Sequence, residues 1–130
     1  MSYYLNKTLN ERNFEKVVAM VTEELKKEGF GVITEIDVRE TMKKKLNVDF
    51  YKYRILGACN PHFAHQALLL EDKIGVMLPC NVIVQEKKPG AIEVSAVDPA
   101  ASMMRVDNER LKSVAVEVRQ KLQKVIENLS

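Results

Sequence analysis

The residue types best suited to chemistry are concentrated in one segment of the chain, Leu56–Val84. Thiols act as nucleophiles and metal ligands, and imidazoles act as metal ligands and proton carriers near neutral pH. The segment holds every cysteine and every histidine of the chain, and each cysteine is followed by an asparagine. The candidate site residues are Cys59, Asn60, His62, His65, Cys80 and Asn81.

A thiol site is the first chemistry that this set allows. Asn60-Pro61 predicts the start of a helix, because asparagine is a strong N-cap and proline is favoured at the first helical position. A helix amino terminus favours the thiolate form of a cysteine beside it. Cys59 is therefore the candidate nucleophile and Cys80 the candidate resolving thiol, although no Cys-x-x-Cys motif occurs. The alternative is that both are small buried hydrophobes, as free cysteines usually are.

A zinc site is the second possibility. Cys59, His62 and His65 are spaced by three residues, and Cys80 would complete a tetrahedral set of two thiolates and two imidazoles. The spacing matches no standard zinc signature, and histidines on the polar side of a short helix are more often solvated. We therefore predict neither a metal nor another cofactor.

A ligand pocket is the third possibility, and the one that we prefer. A helix laid across a sheet tends to leave an apolar cavity, which the adaptable side chains of Met77, Met103 and Met104 would line. The predicted ligand contacts are the six candidate site residues given above. The alternative is that the methionines fill the core while Asn60 and Asn81 only cap the helix and stabilise a turn.

Composition limits the other classes of function. The chain has 130 residues and a net charge of +2, which suits a single domain over residues 1–130 and gives no basic footprint for nucleic acid. No apolar run approaches the roughly 20 residues that span a bilayer, and the amino-terminal residues lack the pattern of a signal peptide. We therefore expect a cytoplasmic protein with no nucleic-acid or membrane partner, in which the cysteines are free thiols.

Hydrophobic periodicity predicts the elements that position these residues. A helical stripe begins at Phe14 and stops at Gly29, and a second, longer stripe runs from Leu111 to Leu129. Between them, alternation over Phe30–Val38 predicts a strand with Ile36 facing the core and with Glu35 and Asp37 facing away. Later segments predict a strand over Tyr51–Ala58, a strand from Val76 interrupted by Pro79, and a hairpin partner over Ala91–Val97.

The fold class that follows is α+β. The order of main elements is β-α-β-β-β-β-α with short inserted helices, and the hairpin-length connections favour an antiparallel sheet. We expect a curved sheet covered on one face by the two long helices.

Three motifs carry a family resemblance: GACNPHFAHQAL, GVMLPCNVIV and VSAVDP. With them the chain resembles, over nearly its whole length, the bacterial and archaeal family known as domain of unknown function 302. The resemblance implies a fold akin to the TATA-binding-protein and helix-grip group. Many members have Gly-Asn-Pro where this chain has Cys59-Asn60-Pro61, so the chain looks like a cysteine-bearing variety. The resemblance implies no established activity, and hence no catalytic residues.

The function predicted from the sequence is small-molecule binding near the Asn60-Pro61 helix start and the Cys80-Asn81 turn. Two alternatives stay open: a thiol-dependent redox or sulfur-handling protein that uses Cys59 and Cys80, and a structural or partner-binding module. We expect a homodimer, because an exposed sheet edge or helix stripe invites pairing. No paired carboxylates, nucleophile elbow or phosphate loop argue for a particular enzymatic reaction.

Overall fold

The fold is taken from a computed structural model that describes residues 2–130. Its five strands and five helices follow the predicted order, and a short 3₁₀ turn precedes the fourth strand. None of the helices in the described part of the chain is long and apolar enough to cross a bilayer. The elements are β1 (Tyr4–Leu9), α1 (Phe14–Lys27), β2 (Gly31–Asp37), α2 (Val38–Leu46), β3 (Lys52–Cys59), α3 (Pro61–Leu70), the 3₁₀ turn (Ile74–Met77), β4 (Cys80–Lys88), β5 (Ala91–Val97), α4 (Pro99–Ser102) and α5 (Glu109–Asn128).

The strands form one open antiparallel sheet in the order β1-β5-β4-β3-β2. The β4–β5 hairpin turns through Pro89-Gly90, and Gly90 adopts a positive φ of 77° that a glycine accepts without strain. This arrangement confirms the α+β prediction and places β3 and β4, the strands that carry the two cysteines, side by side.

The core lies between the sheet and the two long helices. The apolar stripe of α1 is buried as predicted, with Val17, Val21 and Leu25 fully inaccessible to solvent. Both helices contribute to a single cluster with the inward side chains of the central strands. Burial of this apolar area provides the main driving force for the fold. The remaining members of the stripes at the centre of the cluster are Phe14, Val18, Val118, Leu122, Val125, Ile126 and Leu129.

The prediction for β2 is wrong in its second half because of a β-bulge. Between Val32 and Thr34 the pairing with β3 shifts by one residue, which leaves Ile33 as an extra residue. Beyond such an insertion, every side chain of the strand points to the face opposite to the one that uninterrupted alternation predicts. Ile36 is therefore 48% exposed, while Glu35 pairs with the fully buried Leu56.

The bulge creates an ionic cluster around Arg54 that the sequence did not reveal. The guanidinium lies 2.7 Å from a carboxylate oxygen of Glu15 on α1 and 2.7 Å from one of Glu35, with Asp37 at 3.7 Å. It also stacks 5.5 Å from the centre of the Phe14 ring. The hydrogen bonds that Arg54 donates to Glu15, the largest cause, and to Glu35 raise the pKa of Arg54, and the negative charge of Asp37 adds to the effect. The cluster ties α1 to the edge of the sheet.

The start of β4 also differs from the prediction. The strand begins at Cys80, so Pro79 precedes the strand and does not interrupt it. Residues Ile74–Met77 form the 3₁₀ turn, and the Leu78-Pro79 peptide bond is cis. Since Pro79 has no backbone N–H to donate, its place ahead of the first ladder residue leaves the pairing of β4 with β3 intact.

Candidate functional site

The helix start at Asn60-Pro61 lies where α1 ends. Helix α3 begins at Pro61, as predicted, but the Asn60 side chain makes no hydrogen bond to the first turn of that helix. Its Nδ2 instead donates to the backbone carbonyl of Glu28 over 3.2 Å. Glu28 is the C-cap of α1, where carbonyl groups lack helical partners. The predicted capping role of the Asn60 side chain is therefore wrong, and the residue joins the end of α1 to the start of α3.

Close packing explains why this contact is possible. Gly29 has a φ of +88°, and a Cβ added there would lie 3.0 Å from Nδ2 of Asn60. A glycine at this position thus both closes α1 and leaves room for the asparagine.

Two substitutions separate the observed role of Asn60 from capping. Asn60→Ala should lower the free energy of unfolding by about 0.5–1.5 kcal/mol, because the hydrogen bond to Glu28 is lost. Asn60→Asp should lower it by at least as much, because a carboxylate cannot donate to a carbonyl. Urea unfolding followed by circular dichroism measures both values. A fully stable Asn60→Asp would contradict this account, because aspartate is as good an N-cap as asparagine.

Beside this helix start is an apolar cavity at the end of the sheet. It lies between the β3 and β4 termini, α3 and the first turns of α5, and its volume is about 50 Å³. A single water needs roughly 10–15 Å³ measured this way, so the cavity has room for a group of only a few non-hydrogen atoms. The lining residues are Phe30, Ala58, Cys59, Asn60, Phe63, Ala64, Ala67, Leu78, Pro79, Cys80, Pro99, Met103, Leu111, Val114, Ala115 and Val118.

The polar atoms in this lining come from few side chains. The two thiols and the Asn60 amide are the polar side-chain groups among otherwise apolar residues. One N–H of the Asn60 Nδ2 group is used by Glu28, so the amide keeps its second N–H and its Oδ1, which accepts no bond from residues 2–130. The cavity therefore suits an apolar group that carries few polar atoms.

The register of the sheet brings the two cysteines to the same cavity. Cys80 pairs directly with Ala58 across the β3–β4 ladder, and Cys59 is the next residue on β3. Both are free thiols; Cys80 is buried and Cys59 is half-buried. Burial, together with the nearby Cys59, raises the pKa of Cys80 to about 11. Cys80 is therefore a neutral thiol at physiological pH, which makes it a poor nucleophile.

The remaining three candidate residues lie elsewhere. His62 and His65 are exposed on the outer side of α3, and neither lines the cavity. Asn81 is exposed on the opposite face of the sheet, because successive side chains of a strand alternate between faces. Within residues 2–130, no group of three or more histidine, cysteine or acidic side chains is arranged to hold a metal ion. The structure thus brings together Cys59, Asn60 and Cys80 only.

Most of the cavity wall was not foreseen from the sequence. Met103 lines it as expected, whereas Met77 and Met104 are 41% and 48% exposed. The contributions of α5, among them Leu111 and Ala115, were predicted only as part of a buried helical stripe. One feature of the sequence could have indicated this wall. The small residues Ala64 and Ala67 on α3 and Ala115 on α5 leave space where the two helices face each other.

Comparisons with known proteins agree on a family. A family model described as "Domain of unknown function DUF302" matches residues 5–129. No curated protein matches the chain. The crystal structure of an uncharacterized conserved protein DUF302 from Bacillus stearothermophilus superposes with a TM-score of 0.91 at 24% identity, covering 100% of each chain. At that identity the likeness establishes a shared fold, and the family model establishes the membership: the chain belongs to the DUF302 family.

Proposed function

We propose that the protein binds a small, uncharged, mainly apolar molecule, or one such group of a larger molecule, in the cavity between α3, α5 and the sheet. The observation that carries the proposal is the cavity itself, an apolar space of about 50 Å³ bordered by Cys59, Asn60 and Cys80. Binding sites are typically concave and mostly apolar, with a few polar groups that orient the ligand. Here Oδ1 of Asn60 would orient the ligand.

The absence of charged side chains in the cavity lining supports an uncharged ligand. The cavity lining contains no lysine, arginine, aspartate or glutamate. An ion placed there would lose its hydration without gaining a counter-ion, which costs far more free energy than the burial of apolar surface returns. A short aliphatic chain with one hydroxyl, by contrast, would bury its carbons and donate to Asn60.

The test is a nuclear magnetic resonance titration of the ¹⁵N-labelled protein with 1-butanol as the probe. We expect saturable shift changes confined to the backbone amides around Cys59, Ala64 and Leu111. In the Ala64→Leu variant these changes should disappear, because the larger side chain fills the cavity. Ala19→Leu makes the same substitution on the exposed side of α1 and should bind as wild type does. Shift changes that are absent, lie elsewhere or survive in Ala64→Leu would overturn the proposal.

A thiol-dependent function is the second candidate, favoured by the fact that both cysteines border one cavity. In the balanced reaction, two thiols and one molecule of hydrogen peroxide would give a disulfide and two molecules of water. Because the pKa of Cys80 is raised to about 11, Cys59 would have to be the attacking thiol. The buried, neutral state of Cys80 counts against a resolving role, so ligand binding remains the better-supported function.

A further inference from the structure

Phe63 lies at the boundary between the apolar cavity and a second hollow on the surface. This hollow, here called the α5 groove, has a volume of about 490 Å³ and follows the solvent-exposed side of α5. The other residues that line it are Glu117, Gln120, Lys121, Gln123, Lys124 and Glu127. Within residues 2–130, Phe63 is the one residue that lines both spaces, so its side chain separates the cavity from the groove.

The two spaces differ in polarity. The cavity lining contains no charged side chain, whereas every residue of the α5 groove other than Phe63 carries a charge or an amide. Burial in the cavity stabilises an aliphatic chain, but the groove offers it little, because a chain that covers charged groups takes water away from them. The Phe63 ring thus marks the end of the space that favours an apolar ligand.

The neighbours of Phe63 define where its ring lies. Phe63 belongs to the first turn of α3, is half-buried, and packs against the core cluster between the sheet and the long helices. Its ring also contacts the ring of His62 edge-on, with the two centres 5.7 Å apart. Pro61, at the first helical position, fixes the backbone where this turn begins. This packing gives the ring a defined position in the cavity wall.

Phe63 is also the only bulky side chain that α3 contributes to the cavity, since the other lining residues of this helix are Ala64 and Ala67. With a volume of about 50 Å³, the cavity has room for about three to five non-hydrogen atoms, at roughly 10–15 Å³ for each. A longer chain would displace the ring or leave the cavity through its rim. The first costs the packing of the ring, and the second leaves the added carbons in water.

We propose that the cavity selects short apolar groups over long ones and that Phe63 is the specificity-determining residue, an inference that rests on the ligand binding proposed above. The ligand, or the part of it that enters, is then an aliphatic group of about five non-hydrogen atoms at most. Replacement of the ring by a methyl group would join the cavity to the α5 groove. The space vacated by the ring would then accept longer chains.

The dissociation constants of 1-butanol and 1-hexanol, measured by nuclear magnetic resonance titration of the ¹⁵N-labelled protein, test this limit. In wild type, 1-hexanol should bind at most about twofold tighter than 1-butanol, because its additional carbons find no further room. In Phe63→Ala it should bind about tenfold tighter, since each fully buried methylene raises affinity by about fourfold. Only in this variant should 1-hexanol also shift the backbone amides of Gln120 and Lys121.

Two further variants separate selectivity from a loss of structure. Phe63→Leu keeps an apolar side chain at this position but a shorter one, so 1-hexanol should bind it about threefold tighter than 1-butanol. Phe50→Ala makes the same truncation as Phe63→Ala at a half-buried ring that does not line the cavity, and it should keep the limit of wild type. Circular dichroism confirms that each variant is folded before its affinities are compared.

Wild type that binds 1-hexanol about tenfold tighter than 1-butanol would overturn the selection of short groups. The wild-type ratio in both Phe63→Ala and Phe63→Leu, or a lost limit in Phe50→Ala, would overturn the role of Phe63. If 1-butanol fails to bind wild type, the proposed function itself is overturned, so failure of the ligand site and failure of the length limit are distinguishable.

Discussion

Leu111→Ala is expected to lower the free energy of unfolding by about 2–5 kcal/mol, the range for leucine-to-alanine changes in well-packed cores. Leu111 is fully buried at the start of α5, where it packs with Ile74 and Met103 and forms part of the cavity wall. Removal of its methyl groups forfeits the free energy gained when those groups are transferred from water to the core. It also adds empty space to the existing cavity. The loss should fall in the upper part of the range, since a cavity already present limits how far the neighbours can collapse inward.

Urea denaturation at neutral pH measures this change, and Leu69→Ala is the matched control. Leu69 lies on α3 with 74% of its surface exposed, so its truncation should change stability by less than about 0.5 kcal/mol. A loss below about 1 kcal/mol for Leu111→Ala would contradict the packing described between α3 and α5. If the void is enlarged as expected, benzene should stabilise the variant more than it stabilises wild type.

Stability should fall steeply between pH 9 and pH 11 because of one buried thiol. The pKa of Cys80 rises from an ordinary value of 9.0 to about 11 in the folded protein, with burial as the main cause and Cys59 as the second. Above pH 9 the unfolded chain releases the proton while the folded chain retains it, so the folded state binds more protons and stability decreases as pH rises. At about 1.4 kcal/mol per pKa unit, the full effect is about 2–3 kcal/mol and is complete near pH 11.

The difference between wild type and Cys80→Ala isolates this effect, because lysine and tyrosine side chains titrate in both proteins. Free energies of unfolding measured at pH 8, 9.5, 10.5 and 11 should converge as pH rises: the variant begins less stable and loses less. Parallel curves would show that Cys80 is not protected from ionisation, and the thiol-dependent function would then gain support.

Patterns local in sequence predicted the order of the main elements correctly. The stripe from Phe14 to Leu25 and the hairpin strand Ala91–Val97 depend on residues a few positions apart, and both occur as expected. The cap of α4 has an equally local cause: the carboxylate of Asp98 accepts hydrogen bonds from the amides of Ala100 and Ala101. In each case the physical cause lies within one turn of helix or one hairpin, so the sequence contains it.

The predictions were wrong where the interacting residues are distant in sequence. Period-two alternation cannot show that one residue is inserted at Ile33, and so Glu35 and Asp37 were assigned to the wrong face, away from Arg54. Likewise, Asn60 carries a cap signature, yet its partner is the carbonyl of Glu28 at the end of another helix.

The candidate site was found in part for a similar reason. Cys59 and Cys80 were predicted as site residues from the chemistry of their side chains. That they border the same cavity follows from the register of β3 and β4. The wall supplied by α5 depends on how that helix crosses α3, which no local pattern encodes. His62, His65 and Asn81 are close to the cysteines in sequence, but helix and strand geometry points them away from the cavity.

The most direct test of the ligand site is a native mass spectrum of freshly purified wild type beside that of Ala64→Leu, each compared with its denatured, unreduced mass. We predict an added mass on the native wild type that is lost on denaturation and is missing from Ala64→Leu, with both thiols reduced. Bare chains in both proteins, or the same added mass on both, would contradict a ligand in this cavity. A denatured mass lower by two hydrogens would instead identify a disulfide and favour thiol chemistry.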